Sequence, residues 1–194
     1  MKASNDTKVP VKINWEPFFL NQNTPDEGED LMEHLKNKYG AAAVERFGKP
    51  DNPLNRAGER VGIKFNTTRR VINTLKAHRL VEYCKAIEPE KENDLMQAMF
   101  KSYFEDADDL NKTGKLMMCA QKIGIKDLEG AKGFLDSPAA EKETTLKALS
   151  WSRKGVSGVP FFIFENKSGG RPVAFSGAQP PEVIMELMSD LSEA

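Results

Sequence analysis

The most regular hydrophobic patterns in this chain have the period of a helix. Apolar residues recur three and four positions apart in several segments, which is typical of helices that bury one face in a core. A Thr24-Pro25 start followed by Leu31 and Leu35 predicts a first helix, since proline favours the first turn. Further helices are predicted over residues 41–47, 73–87, 95–104, 113–123, 127–135 and 138–153, with a last one starting at Pro180-Pro181.

Two other segments have the pattern of β-structure. Val9, Val11, Ile13 and Trp15 alternate with polar residues or proline, which predicts a half-buried strand. A second apolar run begins at Val159-Pro160 and turns back through glycines 169 and 170, which predicts a β-hairpin whose first strand opens at a proline. One strand, a helical middle, a hairpin and a final helix favour an α/β or α+β fold with a helical insertion.

Composition narrows the choice of partners. The 194 residues suit one domain, and the formal net charge of −1 predicts no broad attraction to nucleic acid or to an anionic membrane. No apolar run approaches the ~20 residues that span a bilayer, and the first residues lack the apolar core of a secretory signal. We therefore expect a cytoplasmic protein with neither nucleic acid nor membrane as a partner.

The two cysteines give little catalytic chemistry. Cys84 and Cys119 are the only ones, so the chain contains no Cys-x-x-Cys motif. Their spacing fits neither a zinc site nor a disulfide framework, and both lie on predicted helices with apolar neighbours, where buried free thiols are expected. His78 is expected to hold a neighbouring loop rather than to act as an acid or base. We predict no metal, no cofactor and no catalytic residue in these 194 residues.

Four segments together carry a resemblance to a known family. They are Ile13–Asn21, Asn73–Leu80, Met99–Phe104, and Gly155–Phe162 followed by Ser176–Pro180. On these segments the chain resembles the DsbA-like thioredoxin-fold family. Within that family it is similar to the FrnE-like branch, which is related to 2-hydroxychromene-2-carboxylate isomerases and kappa-class glutathione transferases. The resemblance covers roughly residues 9–192.

The resemblance implies an α/β, thioredoxin-like fold with a large helical insertion. Residues 9–24 and 155–194 would form the thioredoxin-like portion and residues 25–154 the helical insertion, effectively as a single domain. It also implies that Pro160 follows a cis peptide bond and lies beside a redox pair. The family's first strand and redox helix should precede residue 9, so we expect both to be missing from this chain.

The function implied is that of a thiol–disulfide oxidoreductase family member that is redox-inactive in this chain. The resemblance places Val159 and Pro160 against an extended peptide or thiol substrate. Asn73 would lie near a small-molecule pocket, although a helix-capping role suits the same residue. The alternatives are a glutathione-linked isomerase or transferase of the kappa type and a non-catalytic peptide-binding module. A strand edge left unpaired would also allow a homo-oligomer.

Overall fold

The structure is a computed structural model, and it describes residues 10–193. Contacts within the chain divide it into two compact units. The first comprises residues 15–148, and the second combines residues 10–14 with residues 149–193. Each unit is described by itself below.

The first unit is mainly helical. Two-residue strands, β1 (Glu29–Asp30) and β2 (Arg70–Val71), pair antiparallel, and Pro89–Lys91 forms a 3-10 turn. The helices are α1 (Leu31–Tyr39), α2 (Ala41–Phe47), α3 (Pro53–Glu59), α4 (Leu75–Ile87), α5 (Glu92–Phe104), α6 (Thr113–Lys122), α7 (Leu128–Asp136) and α8 (Pro138–Arg153), whose last residues enter the second unit. The predicted helices are confirmed, most of them to within three residues at each end, whereas α3 was not predicted.

The core of the first unit lies where α4, α5, α6 and α7 meet. Each of these helices contributes one leucine that is at most 1% exposed: Leu80, Leu95, Leu116 and Leu135. Burying one such side chain contributes about 1.5–3 kcal/mol, so these four positions anchor the packing of the helices. No helix within residues 10–193 is both long enough and apolar enough to cross a membrane.

The second unit contains the predicted hairpin. Strands β3 (Phe161–Phe164) and β4 (Val173–Ser176) pair antiparallel, with Phe161 opposite Ser176 and Phe164 opposite Val173. Helix α9 (Pro181–Glu193) follows, and the amide of Asn166 donates a hydrogen bond to the carbonyl oxygen of Leu191. This bond ties the hairpin turn to the end of the helix.

The strand predicted over residues 9–15 is wrong for its described part. Val9 lies outside the described residues, and residues 10–19 form neither strand nor helix. The alternation itself persists, because Ile13 and Trp15 are half-buried while Asn14 and Glu16 are exposed. Side chains take the place of a neighbouring strand: the Trp15 N–H donates to Glu92 Oε1 at 2.6 Å, and the Trp15 carbonyl oxygen accepts from Lys85.

The start predicted for the first helix is also wrong. Helix α1 begins at Leu31, and the carboxylate of Asp30 caps it by accepting hydrogen bonds from the N–H groups of Met32 and Glu33. The Thr24-Pro25 segment instead enters a turn, in which the Gly28 N–H donates to the Pro25 carbonyl oxygen at 2.9 Å. Gly28 has a φ of 68°, a conformation in which a right-handed helix cannot continue.

Candidate functional site

Val159 and Pro160 lead into β3, and both are exposed. The peptide bond between them is cis, as the resemblance implied. The Pro160 carbonyl oxygen accepts a hydrogen bond from the Gly177 N–H at 2.9 Å, which extends the pairing of β3 and β4 by one residue on each strand. Val159 is 52% exposed, so it lies at the surface of the second unit.

The pairing determines which side of β3 faces away from β4. Residues that face each other in an antiparallel ladder alternate between exchanging hydrogen bonds and turning their backbone groups away. Pro160 is bonded to β4, so Phe162 and Phe164 are as well, while Phe161 and Ile163, which alternate with them, direct their backbone groups outward. Across the described residues, no hydrogen bond reaches those outward groups. Among residues 10–193, therefore, the outer side of β3 has no partner strand.

One face of the hairpin is aromatic. The ring of Phe162 lies 5.1 Å from that of Phe175 and 6.3 Å from that of Phe164, measured between centroids. Phe164 and Phe175 are stacked at 5.6 Å. Aromatic pairs at these separations contribute about 0.5–1.5 kcal/mol each beyond the area they bury, so they hold the two short strands together.

Asn73 belongs to the first unit, where it precedes α4. Its side-chain oxygen accepts from the N–H of Leu75, the first residue of α4, at 3.0 Å, while the N-cap position is Thr74, whose side chain makes no capping bond. Its amide nitrogen makes only long contacts, 3.4 Å to the Thr24 carbonyl oxygen and 3.5 Å to Asp26 Oδ1. The amide nitrogen is therefore the atom of Asn73 that could donate a shorter hydrogen bond to a ligand.

Both cysteines are buried free thiols in the first unit, as predicted. Cys84 is 0% exposed, and burial, reinforced by nearby glutamates, raises its pKa to about 11. Burial also raises the pKa of Cys119, which is 5% exposed and lines a cleft of about 310 Å³ with Ser102 and Asp108. Because the thiolate is the nucleophile, both environments suppress the reactive form.

His78 holds the aromatic segment that follows Trp15, as predicted. Its Nε2 atom lies 3.0 Å from the Phe18 carbonyl oxygen, and its ring meets the Phe19 ring edge-on at 5.8 Å. Burial lowers the pKa of His78, although the bond to Phe18 and the charge of Glu82 act in the opposite direction. The imidazole is therefore neutral near pH 7 and acts as a hydrogen-bond donor.

A charge network that the sequence did not reveal fixes the same segment. Lys85 Nζ lies 3.0 Å from Glu16, 3.3 Å from Glu82 and 3.5 Å from Glu92, and Lys147 lies within 3.0 Å of Glu16 and Glu82. Burial alone would raise the pKa of Glu16, but hydrogen bonds from both lysines outweigh it and lower that pKa. The members come from positions up to 131 residues apart (147 − 16), so no local pattern could have identified them.

Comparison with known proteins agrees with this geometry. The model of the DSBA-like thioredoxin domain family matches residues 1–189. The chain belongs to that family. No curated protein matches it.

Two solved structures resemble the DSBA-like chain. A probable DsbA oxidoreductase from Streptomyces coelicolor is 24% identical, with a TM-score of 0.74 over 91% of this chain and 73% of that one. A candidate protein disulfide isomerase from Nitrosomonas europaea is 17% identical, with a TM-score of 0.61 over 84% of this chain and 86% of that one. At these identities the likeness establishes the fold: a mostly helical α/β structure of the DsbA-like thioredoxin type.

Proposed function

We propose that this chain is a redox-inactive member of the FrnE-like branch, and that it binds extended peptide or thiol substrates at the Val159–Pro160 end of β3. Membership of the DSBA-like family supports the relationship to thiol–disulfide oxidoreductases. The observation that carries the redox-inactive part is the burial of both cysteines.

Thiol–disulfide exchange needs two groups that this chain does not provide. An attacking thiolate must reach the substrate disulfide, and a second thiol must resolve the mixed disulfide that forms. Cys84 is fully buried with a raised pKa, and Cys119 is nearly so. Neither belongs to a Cys-x-x-Cys pair, in which the second thiol would lie within reach of the first. The 194 residues alone are therefore not expected to catalyse the exchange.

Substrate binding would use the backbone of β3. An extended peptide that lies along an open strand edge forms main-chain hydrogen bonds, a mode known as β-augmentation. The outward backbone groups of Phe161, the residue after Pro160, would supply one donor and one acceptor for this purpose. As a separate proposal within the first unit, the Asn73 amide would contact a small-molecule ligand, since its own contacts are long.

Calorimetry with short extended peptides tests the binding part. One peptide carries a central cysteine, and its twin carries serine at that position. We expect saturable binding of both with equal affinity, because no mixed disulfide forms. Two further peptides carry N-methyl groups on every second residue, one at the odd positions and one at the even positions. One of them should fail to bind and the other should bind normally, because only one of these two sets of peptide N–H groups faces β3.

The outcomes separate the candidate functions. Binding that depends on the cysteine would contradict redox inactivity, and the absence of saturable binding by either peptide would overturn the substrate-binding proposal. Saturable binding of glutathione in place of the peptides would favour the glutathione-linked isomerase or transferase.

A further inference from the structure

We propose that the cleft of about 310 Å³ in the first unit binds a small zwitterionic molecule with an apolar side chain, of the size of an amino acid or a dipeptide. The cleft lies between α5, α6 and the turn that joins them, so all the residues that line it belong to the first unit. Its volume is at the lower end of the range found for ligand pockets, ~300–1,000 Å³. The inference rests on this cleft and not on the substrate proposed above.

Part of the lining of the cleft is apolar. Ala98 on α5 and Cys119 on α6 line it, together with the side chain of Met118, which is 60% exposed. The Cys119 thiol carries no charge near pH 7, because burial raises its pKa. A methionine side chain is flexible and polarizable, so it adapts to apolar groups of different shapes. These residues would remove an apolar side chain of the ligand from water.

The charged groups at the cleft divide into a paired set and a free set. Ser102 Oγ donates to Asp108 Oδ2 at 2.8 Å, and Lys115 Nζ lies 2.5 Å from Asp108 Oδ1. The charge of Asp108 is therefore compensated within the protein. Asp106 and Lys122, which we call the rim, also line the cleft and are exposed. Neither rim side chain makes a hydrogen bond or an ion pair within residues 10–193.

The free charges of the rim define the ligand. The Asp106 carboxylate would accept hydrogen bonds from an ammonium group, and the Lys122 ammonium would donate to a carboxylate. Both charges lie near the thiol between them and solvent: burial is the main cause of the raised pKa of Cys119, Asp106 adds to it and Lys122 opposes it. A ligand with one charge would leave one rim group unmatched, whereas a zwitterion matches both.

The turn that carries the two aspartates is fixed before any ligand arrives. The Asp106 N–H donates to the Lys101 carbonyl oxygen at 3.1 Å, and the Asp108 N–H donates to the Ser102 carbonyl oxygen at 2.9 Å. Ala107 between them has a φ of 59°, in the left-handed region that few residues other than glycine adopt. A turn held in this way lowers the ordering cost of binding, since less freedom is lost when the ligand is bound.

Methyl NMR spectroscopy of the full chain with isotope-labelled methionine tests the proposal. Leucine and leucylleucine are the zwitterionic probes, and Met118→Leu assigns the Met118 resonance. We expect at least one probe to shift that resonance saturably at millimolar concentration and to leave Met32, on α1, unchanged. Leucinamide lacks the carboxylate and N-acetylleucine lacks the ammonium group. Each should bind about three- to fivefold more weakly than leucine, as expected for the loss of one exposed charge pair.

Variants of the rim test which charge contacts which end of the ligand. Asp106→Asn should weaken the binding of leucinamide and leave that of N-acetylleucine unchanged, and Lys122→Gln should do the reverse. Asp136→Asn and Lys132→Gln are matched controls, because they make the same changes at exposed positions of α7 that do not line the cleft. Both controls should bind all the probes as the wild type does.

Three outcomes would overturn the proposal. The first is the absence of a saturable Met118 shift with either zwitterion. The second is equal affinity for leucine and for both of its singly charged analogues. The third is an equal effect of Asp106→Asn and Lys122→Gln on the two analogues, which would show that the rim charges do not contact opposite ends of the ligand.

Discussion

The Nε2 atom of His78 lies 3.0 Å from the carbonyl oxygen of Phe18, across 60 residues of sequence. A carbonyl oxygen can only accept, so Nε2 carries the hydrogen in this contact. The bond anchors an irregular segment to helix α4, where no strand partner is available to it. Burial that lowers the pKa of His78 also makes this anchor sensitive to pH.

The free energy of unfolding should therefore fall as the pH drops below about 6.5, the ordinary pKa of histidine. In the folded state the pKa of His78 is lower than in the unfolded chain, so the unfolded chain takes up the proton first and acid favours unfolding. Urea unfolding at pH 7.5 and pH 5.5 measures this loss. His78→Gln keeps a donor but cannot titrate, and it should lose less stability between the two pH values. An equal loss in both proteins would contradict this role of His78.

Arg79 should matter more to stability than its ion-pair partner does. It is 3% exposed, and it donates to the carbonyl oxygens of Phe134 and Ser137 at 3.2 and 2.9 Å, at the end of α7. Arg79→Ala leaves those acceptors unsatisfied and opens a cavity, so we expect a loss of about 2–4 kcal/mol in chemical denaturation. Glu141 pairs with Arg79 at 3.1 Å but its side chain is 55% exposed, and Glu141→Ala should cost under about 1 kcal/mol. Equal losses would show that the ion pair is the main interaction.

Two glycines in α7 should respond in opposite directions to alanine. A Cβ at Gly130 would lie 2.5 Å from Tyr83 Oη and against the Asp127 carboxylate, which Tyr83 holds at 2.8 Å. Gly130→Ala should therefore lower the melting temperature by disturbing the cap of the helix. A Cβ at Gly133 would meet nothing within 4 Å, so Gly133→Ala should raise stability by about 0.5–1 kcal/mol. A stabilised Gly130→Ala variant would contradict the tight contact.

Sequence periodicity predicted the elements whose signal is local. The long helices and the hairpin follow from spacing and turn residues within one segment. Helix α3 was missed because its seven residues carry no apolar stripe, although Asn52 before Pro53 is a recognisable start, and the Asn52 side chain does accept from the Asn55 N–H. Alternation at residues 10–15 suggested a strand, but alternation reports burial and does not require a paired neighbour.

The residues of the candidate site show the same difference between local signals and tertiary contacts. The position of Val159 and Pro160 at the start of the hairpin could be predicted because the hairpin is a local pattern. The bond from His78 to its loop was predicted, whereas the network of Lys85, Lys147 and Glu16 depends on tertiary contacts alone. The choice of which backbone groups of β3 pair with β4 likewise becomes visible only in the folded chain.

The two thiols should be protected to different degrees. In the folded protein both should react with a thiol reagent such as dithionitrobenzoate at least ~100-fold more slowly than in urea, since burial suppresses the thiolate. Cys119 borders the 310 Å³ cleft and should react before Cys84, which is 0% exposed. Cys84→Ser and Cys119→Ser assign the two phases. A fast phase that disappears in Cys84→Ser would contradict the burial of that thiol.

Reduction of insulin by dithiothreitol, followed by turbidity, tests most directly whether this DSBA-like chain can exchange disulfides by itself. We predict that adding the chain leaves the rate equal to that of dithiothreitol alone, and that Cys84→Ser and Cys119→Ser change nothing. An acceleration by the wild type that either serine variant abolishes would contradict the account, since it would show that a buried thiol of this chain takes part in the exchange.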